Sequence, residues 1–219
     1  MGDLLSKVIP LSLGAAVSPT VLAFILVILG GKRPIARGAA FTAGVVTVLA
    51  GLTVIGLTFT YSASSNPANA EIAKGIDGFA GTLLLLLAVT TILRSRLHHG
   101  DPHADPTPKP ETNPSLHRAY LLGLVMMLVN LSTILLYLPA MRSISSSHVA
   151  FDQKAIAVVI AILITSVPAT IPLSVRIVAP GPAERAFTLL HAWVSRHQRQ
   201  IGLVIEIGFG AYLLFKAVR

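Results

Sequence analysis

Two kinds of residue are scarce in this chain. None of its 219 residues is cysteine, which excludes disulfide bonds, iron–sulfur clusters and zinc sites with thiolate ligands. Charged residues make up only 12% of the sequence, whereas a soluble domain carries about 25%. The chain therefore has too few charged side chains to cover a solvated surface, and its composition indicates a membrane protein.

Motifs for nucleotide hydrolysis and for common hydrolytic reactions are also missing. The sequence has no phosphate-binding loop of the Gly-x-x-x-x-Gly-Lys type, no His-Glu-x-x-His and no Gly-x-Ser-x-Gly. We therefore predict a protein that is not an enzyme and needs no cofactor. Any energy for its work would come from an ion gradient, a partner protein or the gradient of the substrate.

Long uncharged segments dominate the sequence instead. Residues 8–29 and 38–60 contain no charged side chain, and about 20 helical residues cross a hydrocarbon core of roughly 30 Å. Further apolar segments lie at about 72–93, 119–141, 155–175 and 201–218. The predicted fold class is an all-α membrane protein with six transmembrane helices.

The basic residues predict the orientation of these helices. Eleven of the 17 lysines and arginines fall on one side of the predicted spans and six on the other. The eleven are Lys32, Arg33, Arg37, Arg94, Arg96, Lys109, Arg118, Arg176, Arg185, Arg196 and Arg199. Because loops rich in lysine and arginine stay in the cytoplasm, we expect a multi-pass inner-membrane protein with both termini outside the cytoplasm.

A hydrophilic stretch divides the six spans into two groups of three. Residues 98–117 are rich in proline, histidine and aspartate, a composition that cannot bury a core. We predict one three-helix unit over 1–97, a cytoplasmic linker over 98–117 and a second unit over 118–219. Three spans per unit give the units opposite orientations, so they form two inverted repeats. Within the second unit, the basic, amphipathic segment 183–200 fits an anionic membrane surface.

Short matching motifs support the repeat. Ser18-Pro19-Thr20 precedes an apolar run in the first span, as Asn130-Leu131-Ser132-Thr133 does in the fourth. In the third and sixth spans an acid, Asp77 or Glu206, stands four residues before a glycine. Interrupted helices at the interface of inverted repeats mark the central site of many transporters. The predicted transport path therefore contains Ser18, Pro19, Thr20, Asn130, Ser132 and Thr133, with helix breaks at Pro19 and Asn130. The alternative is that these hydroxyls and the repeated glycines only support helix packing.

Ionisable residues and prolines inside the spans extend this site. Charges at membrane depth are costly and usually functional, so Glu206 could carry a proton, contact a head group or pair with Arg176. The alternative, a carboxylate that reaches the membrane surface, is stronger for Asp77, which lies nearer a helix end. Pro168 and Pro172 remove backbone hydrogen bonds in the fifth span. They predict a broken or hinged helix that acts as a gate, with a static kink as the alternative.

The linker contains three histidines that could bind a divalent metal. His98, His99 and His103 offer imidazole ligands, but they lack a fixed helical spacing. A solvated linker is therefore the preferred interpretation, and no metal site is predicted.

The run LSLGAAVSPTVLAFILVILGGKRPIARGAAFTAG, with its Ser18-Pro19 and the Gly-Lys-Arg-Pro loop that follows, resembles the GAP family. These are actinobacterial peptidoglycolipid exporters and sulfolipid-addressing proteins of the lysine exporter superfamily. The resemblance extends in layout over nearly the whole chain. Members commonly have Asn-Pro-Lys in the fourth helix, whereas Leu131 and Ser132 follow Asn130 here. The resemblance implies an inverted-repeat fold and export of a lipid or a small molecule.

We therefore expect a transporter that exports or flips a lipid or glycolipid. One alternative is an exporter of a small polar solute, such as an amino acid, or of a divalent cation. The other is a membrane scaffold that recruits lipid-synthesis enzymes and transports nothing. Expected partners are membrane lipids, the substrate, and a second copy of the chain or lipid-synthesis or export proteins, but no nucleic acid.

Overall fold

The described part of the chain is all helical apart from short connections. The computed structural model describes residues 1–64, 78–79, 81–92 and 115–218. The helices are α1 (Gly2–Ala16), α2 (Pro19–Leu29), α3 (Pro34–Ser64), α4 (Gly81–Ile92), α5 (Leu116–Val129), α6 (Leu131–Ser145), α7 (Phe151–Val178) and α8 (Pro180–Val218). This confirms the predicted all-α class.

Two to four membrane spans are recognisable in the described residues. Pro34–Thr58 within α3 and Phe151–Val178, which is α7, are each long and apolar enough to cross a membrane. The pairs α1–α2 and α5–α6 meet the same test if each pair forms one span. Part of the predicted third span lies outside the described residues, and the predicted sixth span is part of the longer α8. The apolar helices indicate a membrane-embedded protein, and the number of six spans stays a prediction.

The predicted first and fourth spans are both interrupted. Helices α1 and α2 meet at an angle of 56°, and α5 and α6 meet at 74°. The first break lies at Val17 and Ser18, directly before Pro19, and the second lies at Asn130. Both breaks therefore fall where the motifs predicted them. Each is followed along the chain by a long helix, α3 or α7.

The prediction of a helix broken at Pro168 and Pro172 is wrong. Both prolines lie inside α7, which continues from Phe151 to Val178. A proline removes one backbone hydrogen bond and can bend a helix without ending it when its surroundings hold the turn. A role of these prolines as a hinge in a moving gate stays a prediction.

The segment 183–200 does not form a separate surface helix. It is continuous with the last predicted span in α8, since no proline separates the two parts and the helix continues through Gly202. Its inner face packs on the protein, where Phe187 and Val194 are buried. Helix α2 is one of the elements that it contacts.

The core joins the two halves of the chain. Helix α1 lies against α6 and α7, α3 lies against α5, α6 and α7, and α2 lies against α7 and α8. At the α3–α5 crossing, Gly44 and Gly123 bring the two backbones together. A Cβ atom at Gly44 would overlap the carbonyl oxygen of Tyr120, and one at Gly123 would overlap that of Phe41.

A buried hydrogen bond joins α3 to α6. The fully buried Tyr137 hydroxyl lies 2.7 Å from Thr53 Oγ1. The Thr53 hydroxyl already donates to the Leu49 carbonyl at 2.8 Å. Because Thr53 has only one hydroxyl proton, Tyr137 is the donor in the bond between the two side chains.

Tyr137→Phe should therefore lower stability modestly. It removes one buried hydrogen bond, which contributes about 0.5–1.5 kcal/mol, and leaves the ring packing intact. Thermal unfolding in detergent would measure the change. The exposed Tyr212 gives a matched control, since Tyr212→Phe makes the same chemical change outside the core. Equal melting temperatures for both variants would contradict this account.

Candidate functional site

The first helix break is built by Ser18 and Pro19. Proline disfavours a helical conformation at the residue before it, and Ser18 is extended, with φ −116° and ψ 93°. Pro19 then occupies the first position of α2, where its missing N–H costs nothing. The Ser18 hydroxyl accepts a hydrogen bond from the backbone N–H of Val21 at 3.3 Å. Ser18 therefore ends one helix and caps the next.

The second break is also made by a residue whose side chain caps the following helix, although no proline is present there. Asn130 separates α5 from α6, and its side-chain oxygen accepts from the backbone N–H of Thr133 at 3.4 Å. Asparagine is among the best residues for this capping position. In the family that this sequence resembles, a proline commonly follows this asparagine. Leu131 stands there in this chain, so the break depends on the capping side chain of Asn130.

The two breaks are in direct contact. The side-chain amide of Asn130 donates to the Ser18 hydroxyl oxygen. The Thr133 hydroxyl donates to the carbonyl oxygen of Ala15, in the last turn of α1, at 3.0 Å. This second bond satisfies a carbonyl group near the end of α1 that lies beside the break. The predicted clustering of Ser18 with Asn130 and Thr133 is thus present in the structure.

Glu206 reaches the same place from α8. The Ser132 hydroxyl donates to Glu206 Oε1 at 3.3 Å. Ser132 lies in the first turn of α6, and negative charge is favoured at that end of a helix. The second carboxylate oxygen, Oε2, is buried and has no hydrogen-bond partner. Arg176 donates instead to the carbonyl of Pro180 at 2.8 Å, so the alternative pairing of Glu206 with Arg176 is wrong in this structure.

The sequence reasoning did not identify Gln198 as a site residue. Its side-chain amide donates to the Thr20 hydroxyl at 3.3 Å. Next to it, Arg199 donates to the carbonyl of Thr91 at 2.9 Å. Gln198 lies in the segment 183–200, and the continuous α8 brings it to α2. One feature of the sequence could have identified Gln198. It lies eight residues, or about two helical turns, before Glu206 and therefore near the same side of a continuous helix.

These contacts define one group of side chains, named the polar centre below. Its members are Ser18, Asn130, Ser132, Thr133 and Glu206, which come from α6, α8 and the two breaks. The contact between Thr20 and Gln198 lies about 12 Å away along α8. Two helix ends and one acid therefore meet among otherwise apolar helices.

Apolar surface borders the polar centre. Val129, beside the second break, is 67% exposed. Val17 and Leu131, which flank the two capping residues, are also exposed. Polar groups and exposed apolar side chains thus lie side by side at the breaks.

The structure does not describe four of the predicted site residues. Asp77, His98, His99 and His103 lie outside the described residues. Within the described residues, no group of three or more histidine, aspartate or glutamate side chains is arranged to hold a metal ion.

Fold and site together define a class: an all-helical, membrane-embedded protein whose polar centre is made by two helix breaks in contact. The family is more specific. The chain belongs to the family of Sap, sulfolipid-1-addressing protein, whose family model matches residues 8–219. This confirms the resemblance found in the sequence. Comparison with curated proteins and with solved structures gave no match.

Proposed function

We propose that this protein is a transporter, not an enzyme, and that it exports or flips a lipid or glycolipid across the inner membrane. The observation that carries this proposal is the contact between two helix breaks, Ser18 with Asn130, beside the acid Glu206. Interrupted helices expose polar backbone and side-chain groups to a substrate in the middle of an apolar protein. The family name, which concerns the addressing of a sulfolipid, fits a lipid-related role.

The family name, together with apolar surface next to the polar centre, favours a lipid over a soluble molecule. A lipid has a polar head group and apolar chains, and it must keep both in matching surroundings while it moves. The head group would lie at the polar centre. The chains would lie against exposed residues such as Val129 and Leu131, so the lipid would enter from the side.

Inverted repeats form part of the proposal, and two contacts support them. The Ser18 and Asn130 motifs match each other in sequence, and these two residues form a hydrogen bond. Gly81 and Gly210 also match, and a Cβ atom on Gly81 would lie 2.9 Å from the Gly210 carbonyl oxygen. Equivalent residues meet each other only near a symmetry axis, and a two-fold axis between the halves would produce both contacts. The predicted orientation, with both termini outside the cytoplasm, belongs to the same proposal.

Export of a small polar solute is the second candidate. The hydroxyl and amide groups of the polar centre, together with the Glu206 carboxylate, could also bind a free amino acid. The family name, which concerns a lipid, does not support this candidate.

Glu206→Gln should slow lipid movement by about tenfold, which corresponds to ~1.4 kcal/mol of transition-state stabilisation. The change keeps an oxygen that can accept from Ser132 and removes the negative charge. Purified protein in proteoliposomes would be tested with a fluorescent lipid in the inner leaflet, with and without a proton gradient. Asp152→Asn is the matched control, because Asp152 is exposed at the start of α7.

Other results would favour the rivals. Amino-acid flux with immobile lipid would replace lipid transport by solute export. Absence of all flux, with function in cells lost on changes to 98–117 or 183–200 but kept in Glu206→Gln, would favour the scaffold. A dependence of the lipid rate on the proton gradient that Glu206→Gln abolishes would assign proton coupling to this carboxylate.

A further inference from the structure

The contact between α2 and α8 places the polar part of α8 beside the first helix break. Gln198 donates to the Thr20 hydroxyl at 3.3 Å, and Thr20 lies in the first turn of α2, directly after the break. From there α2 continues for 11 residues, or about 16 Å, to the loop that contains Lys32 and Arg33. In the proposed transporter α1 and α2 form one span. Thr20 and Gln198 therefore lie inside the membrane and not at its surface.

Two arginines next to Gln198 lie at the same depth, although the sequence predicted a cytoplasmic loop for both. Arg196 and Arg199 are exposed. Arg199 donates to the carbonyl of Thr91 near the end of α4 at 2.9 Å, whereas Arg196 forms no hydrogen bond or ion pair with another described residue. Charges at membrane depth are costly, and they usually mark the path of a substrate. An anion from outside the chain would offset that cost.

The same side of α8 also presents apolar surface. Leu189, Trp193 and Arg196 follow one another at spacings of four and three residues, so they lie on one face of the helix. Leu189 is 73% exposed and Trp193 is 54% exposed. An exposed arginine beside exposed apolar side chains fits a lipid with a charged head group, because the chains of such a lipid need apolar surroundings.

We propose that Arg196 and Arg199 form a binding site for an anionic lipid head group, a sulfate or phosphate ester, beside the polar centre. This inference rests on the proposed function of lipid transport and adds a head-group charge and two binding residues to it. Arginine suits the role, since its planar guanidinium group binds the oxygens of such esters through paired hydrogen bonds. Glu206 follows Arg199 after seven residues, or about 10 Å along α8. The proposed site is therefore distinct from the contact between Glu206 and Ser132.

The test compares two lipids that differ by one sulfate. A fluorescent galactosyl diacylglycerol and its counterpart sulfated on the sugar would be placed in proteoliposomes of phosphatidylcholine, which carries no net charge. We expect wild type to move the sulfated lipid at least about tenfold faster, a difference of ~1.4 kcal/mol. The ratio should fall towards one when Arg196→Gln and Arg199→Gln are combined. Lysine at both positions should keep part of it, because the charge remains without the planar fork.

Lys7→Gln is the control for overall charge. Lys7 is exposed in α1, and its replacement removes a positive charge outside the proposed site. A second measurement covers variants that move lipid too slowly to follow. Binding of both labelled lipids to the detergent-purified protein gives the same ratio as two dissociation constants, and thermal unfolding of each variant checks that it is folded.

The outcomes separate this inference from the proposed function. Equal movement of the two lipids by wild type, or preference for the uncharged one, would overturn the inference and leave lipid transport intact. So would an unchanged ratio in the double glutamine variant, which would mean that the arginines only reach the membrane surface. An equal fall of the ratio in Lys7→Gln would assign the preference to overall charge and would also overturn it. If no lipid were moved or bound, lipid transport itself would fail, and the inference with it.

Discussion

Gly123→Ala is expected to cause the largest loss of stability of any single methyl addition considered for this protein. The new Cβ atom would overlap the backbone carbonyl of Phe41, and a backbone carbonyl cannot rotate away as a side chain can. Helices α3 and α5 would have to separate along their shared contact. Overpacking of this kind costs about 1–3 kcal/mol and sometimes more. Thermal unfolding in detergent and the yield of folded protein in membranes would measure it.

The same helices provide the comparison variants. Gly44→Ala should have a similar effect, because its Cβ atom would overlap the carbonyl of Tyr120. Both glycines serve one crossing, so the double variant should lose less than the sum of the single losses. Gly51→Ala, also on α3, is the control, since nothing lies within 4 Å of a Cβ atom there. If Gly51→Ala and Gly123→Ala unfolded at the same temperature, close packing would not explain these glycines.

Asn130→Ala should abolish most lipid movement, because it removes both interactions that hold the second break. The α6 N-terminus loses its cap, which is worth about 1 kcal/mol. The bond to Ser18 is also lost, and such bonds between membrane helices average about 0.6 kcal/mol. The loss of stability is therefore modest, about 1.6 kcal/mol. The loss of transport should exceed tenfold, since only the bond from Thr133 to Ala15 would still join the two breaks.

A double-mutant cycle separates the two interactions. Ser18→Ala, Asn130→Ala and their combination should give a coupling energy of about 0.6 kcal/mol, with 1.7 kcal/mol as the upper end for membrane helices. Ser115→Ala is the matched control. Ser115 caps α5 by accepting from the N–H of Arg118, so it loses a cap without losing a bond between the two breaks. Transport that falls equally in Ser115→Ala and Asn130→Ala would show that capping alone matters.

The two helix breaks show how well local sequence predicts where a helix ends. Proline lacks an N–H and restricts the residue before it, and the Ser18 hydroxyl caps the helix that follows, so Ser18-Pro19 favours a break at this place. Asn130 is a weaker signal, because asparagine ends a helix only when its side chain finds a backbone N–H to bind. The match between the halves was needed to recognise it.

The prolines of α7 and the segment 183–200 show what local sequence leaves undetermined. Pro168 and Pro172 lie inside a helix that stays continuous, because neighbouring groups can compensate for a missing hydrogen bond. Segment 183–200 has a composition that suits a membrane surface. Phe187 and Val194 pack on the protein while Leu189 and Trp193 stay exposed, so its contact with a membrane surface stays a prediction. Both outcomes depend on which helices pack against the segment. The sequence of a single segment does not show which helices those are.

By itself the sequence determined the membrane environment, the all-helical class, the family and the positions of both helix breaks. These follow from composition and from the backbone chemistry of a few residues, which act over one or two turns. Only the tertiary structure decided that Ser18 binds Asn130, that Ser132 binds Glu206 and that Gln198 binds Thr20. These pairs are 112, 74 and 178 residues apart in the chain. Contacts over such distances depend on how whole helices pack, because hydrogen-bonding side chains choose partners only after packing has placed them within reach.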